Sequence, residues 1–295
     1  MQVFSMNKNT NKTYLLICVL ILVSAFQADK EKHFPKIIDN LPKPDKLLAQ
    51  NELHKADPLI YMFGDLNNKS YKLVNINRGF NLSPDSLPKA RPSNLKIFID
   101  TTQVLSIDLS RYDIPPPPVY VDDKVPVIYE ADDLELEYDE VSVIDTLETI
   151  RIRKLYEERE PRCVRSYPVY VENISGKDLR VFTVDDKLLM IQEVLDDNGK
   201  WRSIEYFRFG MCGNGYYYQP LPKNHFMLIK TPLYEGAFKT KMRLKMKIDD
   251  KYIFSNEIDF HINRNQMFPG QEFYSFFDFE IERDSVAFFN RVLLK

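Results

Sequence analysis

The chain predicts an all-β protein: an antiparallel β-sandwich with a β-rich N-terminal arm and a short C-terminal extension. Three observations lead there. Between 237 and 262 the residues alternate, with Phe238, Thr240, Met242, Leu244, Met246 and Ile248 on one face and Lys239, Lys241, Arg243, Lys245 and Lys247 on the other, the period-two signature of a strand with one wet side. From 160 to 262, turn signals recur about every ten residues between short apolar runs, the spacing of a sandwich. No stretch in that range carries a helical period. With 44% hydrophobic and 28% charged residues among 295, there is ample material for a buried core.

At the N-terminus, Tyr14 to Phe26 is an apolar run preceded by Lys8 and Lys12 and no acid. Its length suits a signal-peptide core and is short for a bilayer, which needs about 20 residues. Val23-Ser24-Ala25 and Ala28 offer small residues for cleavage. Residues 1–28 therefore read as a signal peptide and the protein as exported, with an uncleaved N-terminal anchor as the alternative. Cleavage moves the net charge from −3 to −5, because the two lysines leave and no acid does. That acidity speaks against nucleic acid as a partner, since such binding needs cations to displace phosphate counterions.

Residues 29–114 form the β-rich N-terminal region. Pro35, Pro42, Pro44 and Pro58 punctuate its first part, followed by strand-length runs at 59–63, 71–76, 95–99 and 104–109. Residues 115–147 read as a linker: Pro115 to Pro118 favours an extended conformation, and nine acids from Asp122 to Glu140 are offset by Lys124 alone. The acids lack the loop spacing and turn glycine of a calcium motif, so a solvated segment is the expectation. Thr149 to Arg153 suits either a strand or a short amphipathic helix.

Residues 148–264 carry the sandwich pattern. Tyr167 to Glu172 alternates and precedes the turn Asn173-Ile-Ser-Gly-Lys177; strands follow at 179–184, 188–195 and 201–209, the last two joined by Asp196-Asp-Asn-Gly-Lys200. Leu221-Pro-Lys-Asn224 turns into Phe226 to Ile229. If Asp249-Asp250-Lys251 is a three-residue loop, Arg243 faces Glu257, Lys241 faces Asp259 and Lys239 faces His261, so the hairpin neutralises half its own cation row. A solvated sheet face is then expected in place of a polyanion-binding stripe.

The stretches YPVYVENISGKDLRV, VLDDNGKWRSIEYF and LPKNHFMLIKTPLYEGAFKTKMRLKMKI resemble bacterial immunoglobulin-like sandwich modules of exported proteins, over about residues 160–262. The resemblance lies in turns and core positions and implies a fold and an exported setting, with roles as spacers, adhesins or assembly components. It departs from antibody domains in that Cys212 sits in a glycine-rich loop. Cys163 and Cys212 remain open as either a disulfide, worth about 4 kcal/mol in the chain-entropy model, or two half-buried thiols.

Two aromatic clusters are the candidate contact surfaces. Phe207, Phe209, Tyr216, Tyr217 and Tyr218 lie about the glycines at 210, 213 and 215, where rings supply a ligand platform at little entropic cost, or else fill the core and cover a sheet edge. The extension 265–295 carries Phe273, Phe276, Phe277, Phe288 and Phe289, which must either dock back on the sandwich or meet a partner. Asp284 is placed to cap a short helix through Leu294. His33, His54, His225 and His261 are scattered, and no zinc, P-loop or nucleophile-elbow motif occurs. Hence no metal, cofactor or catalysis is expected. The anticipated function is non-enzymatic binding or structural support in the cell envelope through protein contacts; the alternative is glycan binding at loop 207–218. The expected partner is an envelope protein or a polysaccharide, with a membrane met only through an uncleaved N-terminal segment.

Overall fold

The structure is a computed structural model that describes residues 34–73, 84–109, 151, 154, 162–210 and 215–295. Residues 1–35 and 36–295 fall into separate units. The expected signal segment, the Pro115–Pro118 run, the acidic segment and Cys212 lie outside the described residues.

In chain order the second unit contains β1 (Lys36–Ile38), β2 (His54–Lys55), β3 (Met62–Asp65), β4 (Ser70–Lys72), β5 (Leu95–Ile99) and β6 (Leu105–Asp108). Then come β7 (Cys163–Asn173), β8 (Leu179–Val184), β9 (Lys187–Leu188), β10 (Met190–Leu195), β11 (Trp201–Ser203), β12 (Glu205–Tyr206) and β13 (Tyr216–Leu221). They are followed by β14 (His225–Pro232), β15 (Phe238–Ile248), β16 (Lys251–Phe254), β17 (Ile258–Ile262) and helix α1 (Gln271–Val292).

Two sheets make the sandwich. One runs β3-β14-β7-β5 with β6 also on β7; the other runs β11-β10-β15-β16 with β17 also on β15, every pair antiparallel. Their facing sides form one core, in which Ile97, Val169, Val171 and Ile229 from the first sheet join Met190, Val194, Met242 and Leu244 from the second. The even face of β15 is buried as its alternation predicts, each large side chain contributing about 1.5–3 kcal/mol. A third sheet, β13-β8-β9, lies apart in hydrogen bonding.

The N-terminal strands are built into the sandwich. Leu95–Ile99 pairs with β7 from Asn173 to Val169, and Leu105–Asp108 takes the same edge from Ser166 to Cys163. The proline-punctuated stretch is pinned by charge: the buried Lys230 ammonium meets the Asp39 carboxylate at 2.8 Å and the Ser106 carbonyl at 2.6 Å. Such an ion pair tolerates burial because hydrogen bonds complete its shell.

Turns follow their residues. Asp196 accepts from the backbone N–H of Asn198 and Lys200, and Gly199 supplies the left-handed position at φ 70°. At 173–177, Asn173 Nδ2 bonds the carbonyls of Lys177 and Leu221, so this asparagine is consumed by the turn. Gly236 passes so close to β17 that a Cβ would overlap the Ile262 carbonyl.

The β15 hairpin corrects the expected three-residue loop. Ile248 pairs with Lys251, leaving the two-residue loop Asp249-Asp250 with Asp249 at φ 51°, a conformation aspartate tolerates. Two-residue register holds from Lys245↔Phe254, yet Met242 pairs with Ile258 as a three-residue loop would require. A bulge reconciles them: Ser255, Asn256 and Glu257 stand opposite only Arg243 and Leu244. It keeps the apolar sets of both strands on the core side. It also turns Asn256 toward β5, where its amide accepts from Ile99 N–H at 2.7 Å and donates to Ile99 C=O at 3.1 Å.

Candidate functional site

The cation row is covered only in its second half: Lys239 and Lys241 stay exposed, as a solvated face requires, while Arg243 and Lys247 are half-buried and Lys245 is buried. Lys241 meets Asp259 at 2.7 Å as expected, and Lys239 is in register with His261. Arg243 does not take Glu257; its guanidinium reaches Glu193 on β10 at 3.0 Å and lies against the rings of Trp201 and Phe254. Lys245, on the face expected to be solvated, is buried between Glu193 Oε1 and the Leu293 carbonyl, each 3.1 Å away. Lys247 reaches the Lys295 carbonyl at 3.4 Å. The Lys245 ammonium thus meets the carbonyl that caps α1, the end of a helix that favours positive charge.

Helix α1 itself is broken at Phe277, where ψ turns to 16°, and at Asp284, where the backbone becomes extended. Asp284 accepts from Ala287 N–H at 2.9 Å, the cap its position suggested. The two stretches fold back on each other: Phe273 stacks on Phe289 and Glu280 pairs with Arg291. Phe273, Phe277 and Phe288 are buried with Leu53 and Val292, and Phe289 packs beside them. The Phe276 side chain lies outside the described residues. At the far end, Phe279 is 73% and Val286 69% exposed. Among the described residues, no helix is long and apolar enough to cross a membrane.

The loop aromatics divide. Phe207 is buried against Phe209 with Ala56, Val184, Ile191 and Leu294. Tyr217 donates to Asp186 at 2.5 Å; burial, and after it that carboxylate, pushes its hydroxyl up to about 12. Tyr216 is 38% exposed and donates to the Gly210 carbonyl. Tyr218, edge-on to Phe182, helps line a cleft of about 230 Å³. Arg180 lies 4.6 Å and Lys89 5.4 Å from the Tyr218 ring centroid, and Lys247 and Asp249 also line the cleft. Arg180 also meets Asp85 at 3.3 Å.

A second concavity, of about 380 Å³, is floored by Glu205 and His54, paired across β12 and β2. Glu205 is 4% exposed; its carboxyl accepts from Tyr234 OH and from Gln192 N–H, both at 2.8 Å. The strand expected at 201–209 bends here: past Ser203 it leaves β10, and the Glu205 side chain takes the Gln192 N–H in place of a main-chain carbonyl. Burial raises the Glu205 carboxyl to about 7. Burial, then the Lys55 ammonium, lowers the His54 imidazole to about 4. Between about pH 4 and 7 the imidazole is therefore neutral and the carboxyl is held toward its protonated form.

No protein-family model, curated protein or solved structure matches the chain. Among the described residues no three metal-ligating side chains converge. Of the residues around the two concavities, the sequence singled out Tyr218 through its aromatic run and Lys247 through the cation row, and met His54 as one of four scattered histidines. Glu205 sits at an ordinary polar position of an alternating strand and Arg180 and Lys89 are isolated cations, so pattern offers no signal for them. Cys163 opens β7 opposite Asp108.

Proposed function

We propose that the chain is an exported, non-enzymatic binding module of immunoglobulin-like type, and that it takes an anionic saccharide of the cell envelope at the Tyr218 cleft. The observation that carries this reading is the convergence of Lys89, Arg180 and Lys247 with the rings of Phe182 and Tyr218 around one open cleft. Aromatic walls pack the apolar faces of a sugar ring, and the cations hold its carboxylate. Two of them already lie against Tyr218, so charge outweighs bare stacking in what the cleft offers. Titration calorimetry with polygalacturonate, and dextran as the neutral control, tests it. Binding of the anionic polymer alone, weakened by salt and lost in Tyr218→Ala, is the expected result; equal binding of dextran, or an unaffected Tyr218→Ala, overturns it.

A protein partner is the second reading. It is favoured by the exposure of Phe279 and Val286 at the far end of α1, beyond the rings that are buried. Double substitution to serine would then abolish capture of an envelope protein while leaving polysaccharide binding intact.

A further inference from the structure

The Glu205 concavity shares no lining residue with the Tyr218 cleft. Its chemistry is different. A buried carboxylate is ordinarily matched by a cation, as Lys230 matches Asp39 and Lys245 matches Glu193. Glu205 receives only neutral donors, a phenol and an amide, and no ion pair among the described residues includes it. A carboxylate offers about four acceptor positions, so roughly two remain on this cavity-lining residue.

The rest of the lining is divided by character. Leu48, Ile107, Leu109 and Pro232 form an apolar wall. Lys55 and Arg162 bring positive charge to the same cavity, and Asp57, also in its lining, is itself paired with Lys187 at 3.2 Å. At about 380 Å³, the volume falls in the range of roughly 300–1,000 Å³ usual for small-molecule sites. An acid without a cationic partner, an apolar wall and separate basic groups are complementary to a molecule carrying an ammonium, an aliphatic body and a carboxylate.

We infer that this cavity binds a small zwitterion, an α-amino acid with an aliphatic side chain. Its ammonium donates to Glu205, its carboxylate turns toward Arg162 and Lys55, and its side chain packs on Leu48, Ile107 and Leu109. The ammonium supplies the charge that the buried carboxylate lacks. Because burial pushes the Glu205 carboxyl up to about 7, it holds a proton at pH 6 when alone, and binding there expels it. The other titratable groups facing the cavity are His54, Lys55 and Asp57 from the β2 segment and Arg162 ahead of β7, with Tyr234 bonded to Glu205.

The experiment is calorimetric titration of the full chain with L-leucine, 3-methylbutylamine and 4-methylpentanoate, which are leucine, leucine without its carboxylate and leucine without its amine. Saturable leucine binding, at least tenfold tighter than either analogue and releasing about one proton at pH 6 and none at pH 8.5, is expected. Glu205→Gln should weaken leucine at least tenfold. Leu109→Trp, a half-buried rim position where a larger ring fills the cavity, should abolish binding with the carboxylate still in place, and it carries the test if Glu205→Gln does not fold. No leucine binding, equal binding of an analogue, or undiminished binding by Leu109→Trp would overturn the inference. Polygalacturonate binding is unaffected by any of these results, so failure here leaves the Tyr218 cleft standing.

Discussion

Lys245 on β15 donates to the carbonyl oxygen of Leu293, 3.1 Å away at the end of α1, while its other partner is the buried Glu193. A residue that alternation assigns to the wet face is thereby the link between a sheet and the helix covering it. Glu193 also holds Arg243, so one carboxylate compensates two cations. Glu193→Gln should destabilise the fold by about 3 kcal/mol, since it strands a buried ammonium. Lys245→Met, which leaves Glu193 with Arg243, should lose only about half as much. Urea denaturation of both variants decides; equal losses would contradict the shared-carboxylate arrangement.

Leu294 is fully buried with Ala56, Val184, Ile191 and Phe207, and the neighbouring Val292 carbonyl accepts from Phe207 N–H at 2.7 Å. Leu294→Ala should cost about 2–5 kcal/mol through the cavity it opens. Phe279→Ala, at a side chain mostly in water, should stay within about 0.5 kcal/mol. Thermal melts of the pair test whether α1 is anchored by its last turn or by its exposed bend.

Asn256 occupies both backbone groups of Ile99, on a strand of the opposite sheet. Asn256→Ala leaves that N–H and C=O without their partners and should destabilise by about 2 kcal/mol. Asn256→Asp keeps the acceptor and loses the donor, so it should fall between. An amide exchange rate at Ile99 unchanged in Asn256→Ala would refute the bridge.

Glu205 and His54 respond to pH in opposite senses. The folded Glu205 binds more protons than the unfolded chain between pH about 4.5 and 7, so its contribution to stability is full at the acid side and is lost as pH rises through 7. The folded His54 binds fewer between about 4 and 6.5, so its contribution is present above 6.5 and is lost as pH falls to 4. Over pH 4.5–6.5 the two slopes oppose. Glu205→Gln should therefore unmask stability that rises with pH from 4 to 6.5, and His54→Phe stability that falls from 4.5 to 7, each approaching about 1.4 kcal/mol per pH unit. Parallel pH profiles for the two variants would refute these opposed burial effects.

Much of the fold was legible because strands and turns are local. Leu95–Ile99 and Leu179–Val184 begin and end where their apolar runs do, the Asp196 turn forms from its own side chain, and the Asp284 cap appears where the residue type placed it. The loop at 249–250 was misread because a bulge of one residue leaves the alternation on both sides of it unchanged. What covers a strand is not encoded in that strand: the odd face of β15 is solvated at Lys239 and Lys241, but from Arg243 onward Glu193 and the end of α1 lie on it. Of the candidate site, Tyr218 was visible as part of an aromatic run. Glu205 was not, since its partners Gln192 and Tyr234 come from other strands and loops and its burial arises from their assembly.

Leu294 also fixes when the fold can close. Its neighbours Ala56, Val184, Ile191 and Phe207 have all left the ribosome long before it, and the earliest described strands already wait on late ones, as Asp39 waits on Lys230 and Gln50 on Asn263. Contacts so distant in sequence make for slow folding. During synthesis the growing chain therefore presents nearly all of its strands without their final cover. It depends through that interval on whatever keeps nascent β-segments from pairing with the wrong neighbour.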